Sequence, residues 1–235
     1  MAMEYRYSIN EAHSTPITAI EFNTIERKIY TGAEDGTMKI WEPDSGKLLG
    51  TFSEHNGFVT QLLYCRELKV LFSVSIDGQI IVWGPTNKLT QKICTREPIY
   101  CLEYNSRRQQ LLCGCKGRVR AFHVYSPEEG HNSEIIEKRA ISCCEHTDIV
   151  SCIITCEGRF YSAGYDRKIV IYDTSHHGKI KLVRSIHNAH EAAISCMIYG
   201  KNSDNSWIIT GSFDRTVKLW SLDGNPLQNF DGFKY

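Results

Sequence analysis

The chain has 235 residues, of which 42% are hydrophobic and 23% charged, enough apolar content to pack a core and to exclude a disordered segment. Its 27 Lys plus Arg balance its 27 Asp plus Glu, so a nucleic-acid binder that works by neutralising phosphates is not expected. No apolar run reaches the roughly 20 residues of a spanning helix, and MAMEYRYSIN lacks the basic-then-apolar order of a secretory signal. The expectation is therefore a cytoplasmic chain without membrane contact, with its ten cysteines reduced.

In chain order, YRYSI (5–9) reads as a short outer strand or tail. ITAIEF (17–22) then alternates as a half-buried strand does, and IYTGAEDGTMKIW follows, ending at Trp41. Within it, Asp35-Gly36 between two alternating runs is a hairpin signal, because such a turn needs a positive φ. A more polar run, KLLGTF, closes the unit. The same order returns as VTQLLY, LFSVSIDGQIIVW ending at Trp83, and LTQKIC. Further on come IYCLEY with LLCGCKGRVRAF ending at Phe122, then VSCIIT with FYSAGYDRKIVIY ending at Tyr172. The last copy is ISCMIY with IITGSFDRTVKLW ending at Trp220, followed by PLQNFDGFKY. The five aromatic ends are 42, 39, 50 and 48 residues apart, the spacing of a repeat architecture with four short strands per unit.

Offsets inside the units are tighter than the period. Asp35, Asp77, Asp166 and Asp214 each stand six residues before their aromatic, and Thr31, Ser73, Ser162 and Thr210 stand ten before it. His13 and His55 precede theirs by 28 residues, His146 by 26 and His190 by 30. On these motifs the chain resembles the WD-repeat β-propeller family, over nearly everything from His13 to Phe230. The resemblance implies an all-β fold of five recognisable four-stranded blades, as part of a larger, commonly seven-blade, propeller. It also implies a hydrogen-bonded structural tetrad in each of four blades. The sets are His13–Thr31–Asp35–Trp41, His55–Ser73–Asp77–Trp83, His146–Ser162–Asp166–Tyr172 and His190–Thr210–Asp214–Trp220. A neutral imidazole can donate to the carboxylate and accept from the hydroxyl, which accepts the indole N–H. The third unit departs from the pattern, with Leu112, Lys116 and Phe122 aligned to the hydroxyl, Asp and Trp positions and no His. It is expected to be held by apolar packing alone and to be the loosest.

Asp, His and Ser together invite a catalytic reading, but a set repeated in every good copy reads as scaffolding, and no catalytic residue, cofactor or enzymatic activity is expected. Cys113–Cys115 and Cys143–His146 lack the spacing of zinc ligands. The five cysteines on predicted strands (Cys113, Cys115, Cys152, Cys156 and Cys196) are expected as buried thiols, and His176 and His177 as loop residues. No metal site follows. Arg107–Arg108 and Arg118–Arg120 read as solvated surface charge. Glu34, Ile76, Tyr165 and Phe213, each just before a turn Asp, together with Phe58, are the candidate partner-binding residues. In the family this position surrounds the central channel, and an apolar side chain in a wet turn has no obvious folding reason. Cys115 occupies that position in the third unit.

The expected boundaries are 1–12 for the N-terminal strand or tail, 13–54, 55–96, 97–145 (degenerate), 146–189 and 190–235. YRYSI reads as a last strand whose own blade is absent, and five units would leave two apolar blade faces uncovered. The expectation is the N-terminal part of a longer propeller, or a ring completed by a homodimer or by missing blades, with a closed five-blade ring as the alternative. The implied function is a non-catalytic protein–protein interaction scaffold binding other proteins or peptides. Membership of a cytoskeletal or ciliary assembly, or a substrate-receptor role for a ubiquitin ligase or other modifying complex, are the alternatives.

Overall fold

A computed structural model describes residues 8–125, 134–175 and 179–232. Among these residues each repeat forms one antiparallel four-stranded sheet whose strands lie in sequence order. Sheet 1 holds β1 (Ile17–Asn23), β2 (Lys28–Ala33), β3 (Met38–Trp41) and β4 (Leu48–Phe52). Sheet 2 holds β5 (Val59–Cys65), β6 (Val70–Ser75), β7 (Gln79–Trp83) and β8 (Leu89–Cys94). Sheet 3 holds β9 (Cys101–Asn105), β10 (Gln110–Cys115), β11 (Arg118–Tyr125) and β12 (Glu134–Cys143). Sheet 4 comprises β13 (Val150–Cys156), β14 (Arg159–Gly164), β15 (Ile169–Asp173) and β16 (Lys181–Ile186), and sheet 5 comprises β17 (Ile194–Lys201), β18 (Ser206–Ser212), β19 (Val217–Ser221) and β20 (Pro226–Phe230). Of YRYSI, residues 5–7 lie outside the described residues, as do His176, His177 and the terminal FKY, while Ser8 and Ile9 belong to no strand. No helix among the described residues is long and apolar enough to cross a membrane.

The chain divides into two compact units, Met1–Arg96 with sheets 1 and 2 and Glu97–Tyr235 with sheets 3 to 5. In the first, Tyr30, Met38 and Ile40 of sheet 1 pack on Leu62, Leu71, Ile81 and Trp83 of sheet 2. In the second, Leu112, Val119 and Ala121 of sheet 3 meet Ile153, Phe160, Val170 and Tyr172 of sheet 4. The other face of sheet 4 (Tyr161, Ala163, Ile169 and Ile171) meets Ile194, Met197, Ile208 and Trp220 of sheet 5. Alternation thus assigns each central strand two apolar faces, which is why β6 and β10 are buried at every position while β20 is exposed throughout. Two polar clamps recur between neighbouring first strands. Thr18 Oγ1 donates to the Val59 carbonyl (2.6 Å) and Ser151 Oγ to that of Ile194 (2.5 Å). The Tyr64 N–H donates to Glu21 and the Thr155 N–H to Glu103, both at 3.2 Å.

The third sheet corrects two expectations. Its β10–β11 connection is only Lys116-Gly117, tighter than the other turns, so the cross-strand register slips by one relative to a simple residue count. Leu111 pairs with Phe122 as Leu71 pairs with Trp83, and Cys113, two residues on, stands where Ser73 stands. Leu112 instead faces sheet 4. Nor is this sheet held by apolar packing alone. Glu103 accepts from Thr155 Oγ1 (2.7 Å), Asn105 Nδ2 donates to Thr174 Oγ1 (3.4 Å), and β10 is buried along its length.

Candidate functional site

The turns joining the second and third strands of sheets 1, 2, 4 and 5 share one construction. An N–H donates back three residues, from Gly36 to Ala33 (3.2 Å), and from Gly78 to Ser75, Arg167 to Gly164 and Arg215 to Ser212 (each 3.1 Å). Positive φ falls on the donor (Gly36 82°, Gly78 77°, Arg167 64°, Arg215 66°) and not on the Asp before it. This is a type I turn closed by a left-handed residue. The Asp carboxylate caps the turn by accepting the N–H two residues on: Thr37 and Thr216 at 2.9 Å, Gln79 at 2.8 Å, Lys168 at 3.2 Å.

The same carboxylates reach the imidazoles. His55 Nδ1 lies 3.3 Å from Asp77, His146 Nδ1 3.0 Å from Asp166, and His190 Nδ1 2.9 Å from Asp214. Their Nε2 atoms lie 2.8, 2.8 and 2.7 Å from the hydroxyls of Ser73, Ser162 and Thr210. Trp83 Nε1 donates to Ser73 and Trp220 Nε1 to Thr210, both at 2.9 Å. The hydroxyl that accepts the indole N–H has its own proton for Nε2, leaving Nδ1–H for the carboxylate, so a neutral imidazole satisfies every atom. Sheet 1 makes a variant. His13 Nε2 meets Thr31 Oγ1 (2.7 Å), which accepts from Trp41 Nε1 (2.8 Å), but Nδ1 meets Thr37 Oγ1 (3.1 Å), which donates on to Asp35 (2.6 Å). In sheet 4, Ser162 has no indole donor. Tyr172 stacks on Phe160 (4.4 Å between centroids), and its buried hydroxyl has no hydrogen-bond partner among the described residues.

Electrostatics follow this geometry. Burial holds the His55 and His190 imidazoles, and to a lesser depth His13, below their usual range. Burial works against Asp214, but hydrogen bonds from Thr216, the Glu191 N–H and His190 hold its carboxyl well down. The Thr37 hydroxyl brings Asp35 to about 2. Burial pushes the thiols of Cys115, Cys143 and Cys152 up to about 12 and that of Cys156 to about 11, far from thiolate chemistry. Cys196, on a predicted strand, is exposed rather than buried, because nothing described covers that face of sheet 5. No group of three or more His, Cys, Asp or Glu among the described residues has metal-binding geometry. The basic residues are tied in place: Arg120 pairs with Glu97 (3.4 Å) and stacks over Phe122, while Arg108 donates to the Lys179 carbonyl (3.0 Å).

The residue before each turn Asp is the first central residue of the turn, pinned by its backbone to the loop that enters its sheet. Glu34 N–H donates to Pro16, Ile76 to Phe58, Tyr165 to Ile149 and Phe213 to Ala193, at 3.1, 3.1, 2.8 and 3.0 Å. Phe58, Ile76, Tyr165 and Phe213 are exposed, whereas Glu34 is half-buried. In the first unit, the Ile76–Phe58 bond joins the backbones of two residues whose apolar side chains are both exposed. In the second, Tyr165 and Phe213 meet edge to face at 6.2 Å although they belong to different sheets. Cys115, the counterpart in sheet 3, is buried.

The family model for the WD domain, G-beta repeat, matches residues 5–42, 46–84 and 180–221, just over half of the chain. The chain belongs to the WD domain, G-beta repeat family. In this family's sequence unit the fourth strand of one sheet leads: 46–84 runs from β4 to β7 and 180–221 from β16 to β19, one strand out of phase with the sheets. The chain is 24% identical to an uncharacterized WD repeat-containing protein of Schizosaccharomyces pombe, over 91% of this chain and 69% of that protein. It is 27% identical to a periodic tryptophan protein 2 homolog of Caenorhabditis elegans, over 90% of this chain and 18% of that one. With eukaryotic translation initiation factor 3 subunit I of Mycosarcoma maydis the identity is 22%, over 92% and 65%. The chain therefore spans from under a fifth to about two thirds of the length of these relatives. Sheet 3 and the first three strands of sheet 4 lie beyond the matched stretches, and all five four-stranded antiparallel sheets are consistent with the blades of the propeller architecture.

Proposed function

We propose that the chain is a non-catalytic protein-interaction scaffold within a multiprotein complex, and that Phe58 and Ile76 in one unit and Tyr165 and Phe213 in the other contact partner proteins or peptides. The observation that carries this reading is the exposed Tyr165–Phe213 pair. The turns beneath it are already fixed by backbone bonds and by the Asp carboxylates, so the aromatic rings do not serve to hold them. Exposed aromatic side chains on a rigid frame suit partner binding, because little entropy is lost on docking. The His–Asp–hydroxyl sets are proposed as structural latches; each is spent on satisfying buried groups. A relative named as a translation initiation factor subunit supports membership of a larger assembly. Ten free thiols support a reducing, cytoplasmic setting.

The test is affinity purification with mass spectrometry on the full chain and on a Tyr165→Ala/Phe213→Ala double variant, alongside thermal melts. Loss of specific partners with a melting temperature within a few degrees of the parent supports the reading. Unchanged partners would overturn the reading, and a melting temperature that collapses would show that the rings serve the fold.

A further inference from the structure

The turns of the second unit carry a charge pattern that those of the first do not. The first unit has Glu34-Asp35-Gly36 and Ile76-Asp77-Gly78, whereas sheets 4 and 5 have Tyr165-Asp166-Arg167 and Phe213-Asp214-Arg215, and sheet 3 has Lys116-Gly117-Arg118 without an Asp. The carboxylates around these turns are drawn inward. Asp166 and Asp214 lie 3.0 and 2.9 Å from His146 and His190, with side chains only 3% and 7% exposed. Glu97 holds Arg118 (3.6 Å) and Arg120 (3.4 Å), and Asp148 accepts the Ile149 N–H (2.8 Å). Glu145 and Glu191, on the entry loops, are exposed but have cations of their own on those loops: Lys168 donates to the Glu145 carbonyl (3.0 Å) and Lys218 to the Ala189 carbonyl (2.8 Å). Arg167 and Lys116 are exposed and form no ion pair among the described residues.

The backbone shows two of these turns under strain. Arg167 and Arg215 stand at φ 64° and 66°, the left-handed position that Gly36 and Gly78 take in the first unit. A residue with a Cβ is strained there, and strain kept at an exposed turn points to a use outside the fold. Tyr100 adds a third ring. It holds the first-strand place of Thr18 and Ser151, whose hydroxyls reach the carbonyls of Val59 and Ile194 in the next sheets. In sheet 3 that reach is made by Cys101, whose Sγ meets the Val150 carbonyl at 3.4 Å, so the tyrosine is not needed for it. Burial, and then Cys115, Asp148 and Tyr165, hold the Tyr100 hydroxyl above its usual range, which places the half-buried phenol beside the Tyr165 turn. Resting on the reading of Tyr165 and Phe213 as a partner contact, we propose that the partner they take is an acidic peptide. An apolar side chain of the peptide lies against Tyr165, Phe213 and Tyr100, and its Asp or Glu carboxylates meet Arg167 and Lys116. The guanidinium takes a carboxylate bidentately, and charge of this kind selects the partner and speeds the encounter more than it adds affinity.

The probe is a displayed library of random short peptides, selected on the full chain and depleted on the Tyr165→Ala/Phe213→Ala variant, so that only peptides needing the rings are kept. Thermal melts verify the fold of every variant; if the double variant does not fold, Arg167→Gly, which suits the positive φ of its turn, takes its place in the depletion. The kept peptides are expected to be richer in Asp and Glu than the starting library. One of them, labelled and titrated by fluorescence anisotropy, is expected to bind about two- to fivefold more weakly to Arg167→Gly and to Lys116→Ala. Arg167→Lys, which keeps the charge, is expected to lose less, and binding is expected to weaken between about 0.05 M and about 0.5 M salt. Kept peptides without acidic enrichment, or an affinity that salt and both substitutions leave unchanged, overturn the acidic class and leave the partner-contact reading standing. A library that yields no peptide dependent on this surface overturns both.

Discussion

Tyr172 shows how much one atom's placement decides. In sheets 1, 2 and 5 the aromatic at this position is an indole whose N–H ends on a buried hydroxyl at 2.8–2.9 Å. A phenol has no ring N–H, and the Tyr172 side chain packs in a cluster with Val119, Ala121 and Val150 while its buried O–H has no hydrogen-bond partner among the described residues. An unpaired buried hydroxyl costs about 1–3 kcal/mol. Tyr172→Phe keeps the stacking on Phe160 and removes that cost, so the variant is expected to gain about 1 kcal/mol in urea unfolding. A loss of similar size would mean that the hydroxyl is paired in solution. Trp83→Phe goes the other way: it deletes the donor to Ser73 in a fully packed site, and a loss of about 1–3 kcal/mol is expected.

At the scale of the element, the four turns differ in the residue that carries positive φ. Gly36 and Gly78 adopt it freely, but Arg167 at 64° has a Cβ in the left-handed region, at a cost of about 1–2 kcal/mol. Glycine loses more chain entropy on folding, about 0.5–1 kcal/mol, so Arg167→Gly is expected to be neutral to stabilising by up to about 1 kcal/mol, read from the urea midpoint. Gly36→Ala is expected to destabilise strongly, since its Cβ would stand 2.4 Å from the His55 carbonyl oxygen as well as adopting positive φ. The four strands of each sheet and their order were legible in the sequence, because alternation, turn chemistry and the fixed Asp, hydroxyl and aromatic offsets report the same local geometry. The register of the third sheet was not, since a residue count cannot see a shortened hairpin; only the pairing of Leu111 with Phe122 puts Cys113 at the hydroxyl position. Phe122→Trp is accordingly expected to add no stability, because Cys113, and not a hydroxyl, stands where Ser73 receives the indole N–H in sheet 2. Exposure of Tyr165 and Phe213 was foreseeable from their place beside a turn Asp, but their edge-to-face meeting joins two sheets 48 residues apart in sequence, beyond any local pattern.

Across the whole molecule, the repeated imidazoles make stability a function of pH, with a definite sign. His13, His55 and His190 are held below the ordinary 6.5, in each case chiefly by burial. Below about pH 6.5 the unfolded chain takes up protons at these positions while the folded chain keeps its imidazoles neutral. Stability is therefore complete above that pH and is lost as the pH falls toward the folded-state values. Asp35, Asp166 and Asp214, lowered from 3.8, add a second loss only below that value, since they stabilise while ionised. The expected profile is a melting temperature level above about pH 6.5 and descending through the weakly acidic range, well before the carboxylates protonate. His55→Gln should lower stability at neutral pH, by breaking the contacts to Ser73 and Asp77, and should also make the acid descent shallower, because one proton-excluding site is gone. Burial itself holds the His55 imidazole down, so parallel descents in the variant and the parent would refute His55 as a proton-excluding site.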